Sequence, residues 1–275
     1  MEQLRNYLQA SKVRKEMPAR DATQISNRLH EVFDRMAMQS GVKSQMKPLL
    51  TGYEDIDEMI GGLELGELVA IAGEPRSGKT AMMLSIAIET ARNTALPILI
   101  FSQTHSAQQI TRRLLSMLTG VPIETIESAE LSDAEWNLLS TASAWLKEKD
   151  IRIIDLDMSV RELCDSINRC DTPAMMIVDG ICVDEMEADR MQLLKELAQE
   201  KHCCVLFGCC YLENRPYISG CVDKVLRVDN YLEDEATIEI TWNRTGRNGC
   251  TLLRWYPACL QYLPFTPVDA EGEDE

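Results

Sequence analysis

Apolar and polar positions alternate along this chain in two different ways. Over Thr23–Met38 the residues Ile25, Leu29, Val32, Phe33 and Met36 recur at helical spacing with polar residues between them, which predicts an amphipathic helix. A shorter, less regular helix is expected over Glu2–Val13. Gly41 and a polar stretch then separate this arm from a second region that begins near Leu49. From Glu67 the pattern changes: compact apolar runs at Leu68–Ala72, Ile98–Phe101 and Ile151–Ile154 are interleaved with helical patterns at Thr80–Arg92 and Ala107–Leu118. This is the rhythm of βαβ units and predicts a parallel sheet, because a strand can return parallel to its neighbour only through a long crossover.

Two capping boxes mark further helix starts, Ser132-Asp133-Ala134-Glu135 and Ser159-Val160-Arg161-Glu162, each able to satisfy orphan backbone donors reciprocally. Later strands are expected at Ala174–Val178, Cys204–Gly208 and Lys224–Val228, followed by an antiparallel hairpin of Ala236–Trp242 and Leu252–Tyr256 at one edge. The acidic end, Val268–Glu275, is expected to be disordered. The pattern therefore divides the chain into a helical arm and linker over residues 1–48, an α/β domain over 49–267 and an acidic tail over 268–275.

At 275 residues the chain is long enough to bury a core without staples. It has no apolar run of bilayer length and no signal-peptide pattern, so a soluble, cytoplasmic protein without membrane contact is expected. The ten cysteines show no metal-ligand spacing and read as reduced, mostly buried small hydrophobes. Charge is uneven. Residues 1–48 carry nine Lys and Arg against five Asp and Glu, whereas residues 49–275 carry nineteen against thirty-nine. So acidic a body repels phosphate backbones unless its few cations converge on one surface.

The chemistry concentrates in GEPRSGKT, Gly73 to Thr80, set between an apolar strand and a helix. This is the phosphate-binding loop pattern in every fixed position. Its residues Gly73, Glu74, Pro75, Arg76, Ser77, Gly78, Lys79 and Thr80 are expected to hold ATP. The glycines let backbone N–H groups turn inward, Lys79 reaches the β and γ phosphates, and the Thr80 hydroxyl ligates Mg²⁺. MMIVDG, Met175 to Gly180, is the partner element: an apolar strand whose terminal carboxylate, Asp179, is expected to anchor the same Mg²⁺ through water.

The segments Leu50 to Asp57 and Gly61-Gly62-Leu63, followed by GEPRSGKT and FSQTHSAQQITRRLLSMLTGV, resemble the RecA-like motor domain of DnaB-type replicative helicases. The resemblance runs from about Leu49 to Phe265 and includes Leu131–Leu146, Asp179, Asn214-Arg215, Ser219-Gly220 and Arg247-Asn248-Gly249. It implies a RecA-like P-loop fold with a mostly parallel central sheet, flanking helices, an antiparallel edge hairpin and a preceding helical arm. It also implies a homo-oligomer, a hexameric ring in the family, in which Thr23–Met38 docks on the adjacent subunit and Arg247 serves as an arginine finger. The resemblance does not extend to the family's separate primase-contacting domain, and no counterpart of it is expected in this sequence.

The departures from the family are equally specific. The glutamate that polarises the attacking water is replaced by Thr104, and no carboxylate occurs from Phe101 to Gln109. Threonine cannot accept that proton at neutral pH. Lys201 to Arg215 lacks the γ-phosphate-sensing glutamine, Thr245 stands where the family has a basic residue, and the loops Gly180–Asp189 and Tyr211–Ser219 offer few cations for single-stranded DNA. His105 and Gln103 are alternative candidates for orienting water. Two readings follow. One is an ATP-binding, helicase-like protein of DNA replication whose hydrolysis is weak or lost and which acts by assembling with replication proteins. The other is an active hexameric helicase that translocates on single-stranded DNA. A RecA-type recombination or clock ATPase fits less well, since it would carry the same missing carboxylate.

Overall fold

The computed structural model describes residues 48–155, 162–163, 167, 173–180, 188–210, 220–230 and 234–265. The chain divides into two compact units after Lys47, and the fold described here belongs to the second. The helices expected over Glu2–Val13 and Thr23–Met38, the second capping box at Ser159, the loop residues 181–187 and 211–219 and the acidic tail all lie outside the described residues.

In chain order the described elements are α1 (Glu54–Ile60), β1 (Leu68–Ala72), α2 (Lys79–Asn93), β2 (Ile98–Ser102), α3 (Ala107–Thr119), α4 (Ile123–Ser128), α5 (Asp133–Lys147) and β3 (Ile151–Ile154). They continue with β4 (Met175–Asp179), α6 (Ala188–Lys201), β5 (Cys204–Cys209), β6 (Lys224–Asp229), β7 (Glu235–Asn243), β8 (Gly249–Tyr256) and β9 (Gln261–Pro264). The strands form one sheet of nine in the order β3-β2-β4-β5-β1-β6-β7-β8-β9. The first six in that order run parallel, and β6 to β9 are antiparallel.

The central strands are continuous apolar runs because both faces of the sheet are covered. In β1 all five residues are buried, and the side chains alternate between two cores. Val69 and Ile71 join the core containing α2, whereas Leu68, Ala70 and Ala72 join the one containing α6. The α2 side takes in Met82, Met83, Ile86 and Ala87, and the opposite side takes in Met191, Leu194, Leu197 and Ala198.

Most boundaries expected from the pattern fall within one residue of those observed, and the Ser132 capping box closes as expected, with Ser132 N donating to Glu135 Oε2 at 2.8 Å. Three differences have physical causes. The expected two-stranded hairpin is a three-stranded extension, since β9 adds a short strand whose Tyr262 and Leu263 face opposite sides. Helix α6 follows directly on an acidic stretch, and its sparse apolar positions show little contrast in the sequence until the sheet covers them. Strand β4 ends on Asp179 itself, which makes the carboxylate part of the carboxyl-terminal end of the sheet.

Candidate nucleotide site

The site is assembled where β1, β2 and β4 end. Chain leaving β1 must reverse into α2 within a few residues, and glycines stand where the turn is tightest. At Gly78, the cap residue of α2, φ is 88°, in the left-handed region that favours glycine. A Cβ there would lie 1.9 Å from the Tyr262 hydroxyl. A Cβ on Gly73 would lie 2.4 Å from Ser77 Oγ and 2.5 Å from Val228 O. Arg76, at φ 69°, shares the left-handed conformation. The loop is therefore closed around its own backbone, and its two glycines leave space that no other residue could.

The first turn of α2 begins with Gly78, Lys79 and Thr80, has no side-chain cap and carries no acidic residue. Its leading N–H groups have no partner within the helix and, with the helix dipole, favour an anion. The Lys79 ammonium folds back over the loop and donates to Gly73 O at 3.0 Å and Glu74 O at 2.6 Å. Ser77 Oγ is buried without a hydrogen-bond partner. A glycine-lined cradle, unsatisfied helix N–H groups and a lysine at its lip fit a polyphosphate.

Asp179 forms the second half of the site. Its carboxylate is buried, and Thr80 Oγ1 donates to it at 3.2 Å from Oδ1 and 3.1 Å from Oδ2. A hydroxyl and a carboxylate held together at the mouth of the loop are a suitable oxygen donor pair for Mg²⁺. The strand register explains their meeting: Ser102 pairs with Asp179, and Gln103 N donates to Asp179 O at 3.0 Å, so the chain leaving β2 passes over the carboxylate. Thr104 Oγ1 thereby lies 3.4 Å from Asp179 Oδ2 and 2.8 Å from His105 Nδ1, which is itself 3.4 Å from the same oxygen. Gly180 admits this packing, since φ is 93° and a Cβ would lie 2.7 Å from Thr104 Cγ2. The position that the resemblance assigns to a glutamate is thus held by a threonine inside hydrogen-bonding range of Asp179.

Arg247 is not brought to the loop of its own chain. It lies in the turn between β7 and β8, with Arg247 N donating to Met59 O at 3.2 Å. Asn243, at the end of β7, pairs with Lys224 at the start of β6, so this turn lies at the end of the strands opposite the loop.

Four contributors were not among the sequence candidates. Tyr262, Asn230 and Ser102 reach the site from distant positions: the Tyr262 hydroxyl donates to Ser77 O at 3.3 Å, Asn230 Nδ2 donates to that hydroxyl at 3.2 Å, and Ser102 Oγ accepts from His105 N at 3.0 Å. No local pattern signals them. The fourth is Arg113, whose guanidinium burial pulls below its ordinary value while the carboxylates of Asp179 and Glu127 oppose that shift. Its signal was available, because Ile110, Leu114 and Met117 define the buried face of α3 and Arg113 falls beside them.

Residues 48–208 match the family model described as the DnaB-like helicase C terminal domain. The replicative DNA helicase DnaB of Buchnera aphidicola subsp. Baizongia pistaciae is 37% identical over 106 residues, which are 38% of this chain and 23% of that protein. The replicative DNA helicase DnaB of Synechocystis is 31% identical over 156 residues, 54% of this chain and 18% of that one. The replicative DNA helicase DnaC of Bacillus subtilis is 24% identical over 184 residues, 64% of this chain and 40% of the relative. The matches thus span less than half the length of these relatives. A solved ATPase domain superposes with a TM-score of 0.76 at 17% identity, covering 90% of this chain and 100% of that one. A DnaB-like replicative helicase solved with its primase interactions gives a TM-score of 0.72 at 18% identity, covering 90% of this chain and 68% of that one. At such identities the likeness is one of fold.

Proposed function

Because this chain belongs to the family of DnaB-like helicase C-terminal domains and has their RecA-like fold, we propose that it binds ATP·Mg²⁺ in the loop Gly73–Thr80 with turnover weak or lost. In this reading the bound state serves assembly with other copies or with replication proteins. The observation that carries the proposal is Thr104, seated 3.4 Å from Asp179 at the position where the family resemblance expects a carboxylate.

The residues divide the work. The N–H groups at the start of α2 and the Lys79 ammonium bind the phosphates, and leaving its two loop carbonyls is the movement Lys79 must make. Thr80 and Asp179 hold the metal, which when bound neutralises phosphate charge. Thr104 can donate a hydrogen bond to water but cannot take its proton, so the step that cleaves the terminal phosphate lacks its base. The loss of a positioned base commonly costs about 10² to 10⁴ in rate. Arg247 supports the assembly part of the reading. A cation at the end of the strands opposite its own loop can serve a phosphate only on a neighbouring molecule, the role of an arginine finger supplied in trans.

An active helicase is the second reading, favoured by the retention of Lys79, Thr80, Asp179 and Arg247 together. Single-strand binding normally needs a cationic groove with aromatic platforms, and the acidic excess over residues 49–275 opposes it. Native mass spectrometry with and without ATP and Mg²⁺, paired with phosphate release in the presence of an oligonucleotide, separates the two. Nucleotide-dependent assembly with slow, DNA-independent turnover supports the proposal. A nucleotide-dependent hexamer with DNA-stimulated hydrolysis overturns it in favour of the helicase, and no response to ATP in either measurement overturns both.

A further inference from the structure

The strand β9 lies at the far edge of the sheet, yet one of its residues touches the centre of the candidate site. The Tyr262 hydroxyl occupies the space that a Cβ on Gly78 would fill, 1.9 Å from that position, and it donates to the carbonyl of Ser77 at 3.3 Å. Several contacts hold it there. Asn230, immediately after β6, donates to the hydroxyl at 3.2 Å. Tyr53 Oη donates to Tyr262 O at 3.4 Å and shares a 2.6 Å hydrogen bond with Ser85 on α2. Trp255 on β8 stacks on the ring, with centroids 4.4 Å apart. Burial pushes the phenol well above its ordinary pKa, with the Asn230 hydrogen bond opposing, which favours the protonated, donating form.

The consequence follows from peptide planarity. In a trans peptide the C=O of one residue and the N–H of the next point in opposite directions. No peptide bond among the described residues is cis. A hydrogen bond that holds Ser77 C=O towards Tyr262 therefore directs the Gly78 N–H away from the buried tyrosine. Without that bond, the 77–78 peptide is free to rotate, since Gly78 carries no side chain to resist it.

We infer that Tyr262, braced by Asn230, is a positioning residue of the phosphate-binding loop, which orients the Gly78 N–H for a bound polyphosphate. The inference deepens the nucleotide-binding proposal and rests on it. The strand that orients the loop continues directly from β8, which begins just after the turn carrying Arg247, so one antiparallel sheet extension serves both ends of the fold.

The test uses the full chain, titration calorimetry with ATP and Mg²⁺, and the melting temperature of the nucleotide-free protein. Tyr262→Phe keeps the ring and removes only the hydroxyl. The expected result is a dissociation constant for ATP raised about three- to tenfold, the range of one net hydrogen bond, with the nucleotide-free melting temperature unchanged. An unaltered dissociation constant overturns the inference, whether or not the melting temperature falls. If affinity and melting temperature fall together, Asn230→Ala decides, because it frees the hydroxyl without touching the β9 packing: weaker ATP binding supports the positioning role and unchanged binding overturns it. Absence of ATP binding by the unsubstituted chain is a different failure, since it removes the nucleotide-binding proposal itself.

Discussion

Thr80 Oγ1 donates to both carboxylate oxygens of Asp179, at 3.2 and 3.1 Å, although the two residues lie 99 positions apart. The bond joins the first turn of α2 to the end of β4 and places both oxygen donors at the loop. Asp179→Asn keeps the shape and removes the charge. Mg²⁺ is expected to lose about 10- to 100-fold of its contribution to ATP affinity, the usual cost of altering a group that orients a metal site. Calorimetric ATP titrations at varied Mg²⁺ measure it, and an unchanged metal dependence would exclude Asp179 from the site.

Thr104 tests the question of turnover by gain rather than loss. It stands beside Asp179 where a glutamate is expected, so Thr104→Glu supplies the missing base. Phosphate release is expected to rise on the order of 10²-fold. If the unsubstituted protein already turns over rapidly and the variant does not gain, the reading of lost hydrolysis is wrong.

Lys79→Ala addresses binding itself. A ligand that binds only the folded state raises its melting temperature, by an amount that grows with ligand concentration over dissociation constant. Millimolar ATP with Mg²⁺ is expected to raise the melting temperature of the unsubstituted chain, and Lys79→Ala is expected to abolish that rise. Differential scanning fluorimetry is sufficient, and the absence of any rise in the unsubstituted chain counts against the phosphate-binding loop.

A buried ion pair supports the opposite end of the central strands. The Lys224 ammonium is 1% exposed and bonds both carboxylate oxygens of Glu67, while neighbouring Asp223 accepts from Leu68 N and Lys195. Glu67→Gln leaves a buried charge without its counter-ion, a change that costs about 3 to 5 kcal/mol. Urea unfolding reads the loss. A change below about 1 kcal/mol would mean that the lysine finds another partner.

The thiols supply a pH dependence. Burial pushes Cys203 and Cys209 up to about 12, with the charges of Lys201 and Lys79 respectively opposing the shift. A folded-state value raised above the unfolded one gives stability that is fully present below the unfolded value and lost as pH rises through the folded one. The melting temperature is therefore expected to decline between about pH 9 and 12, the unfolded and folded values. At pH 8 the folded protein is expected to modify at exposed Cys210 and Cys250 with iodoacetamide and to spare Cys203 and Cys209, which peptide mapping distinguishes.

By itself the sequence determined the elements whose signals are local. Leu68–Ala72 is apolar because a central strand is covered on both faces, and GEPRSGKT must turn where only glycine fits. The carboxylate of Asp179 was legible as well, because it closes an apolar strand. Only the tertiary structure decided which residues meet. Tyr262 reaches Ser77 and the Thr104 hydroxyl approaches Asp179 because strands far apart in the chain become neighbours in the sheet, and no periodicity records that adjacency. Arg247 shows the same limit from the other side: the family resemblance implies a site residue, but strand direction puts it at the end of the sheet opposite its own loop. Local patterns encode how a segment buries its own surface, whereas a site made at strand ends depends on strand order, which is set by the packing of the whole sheet.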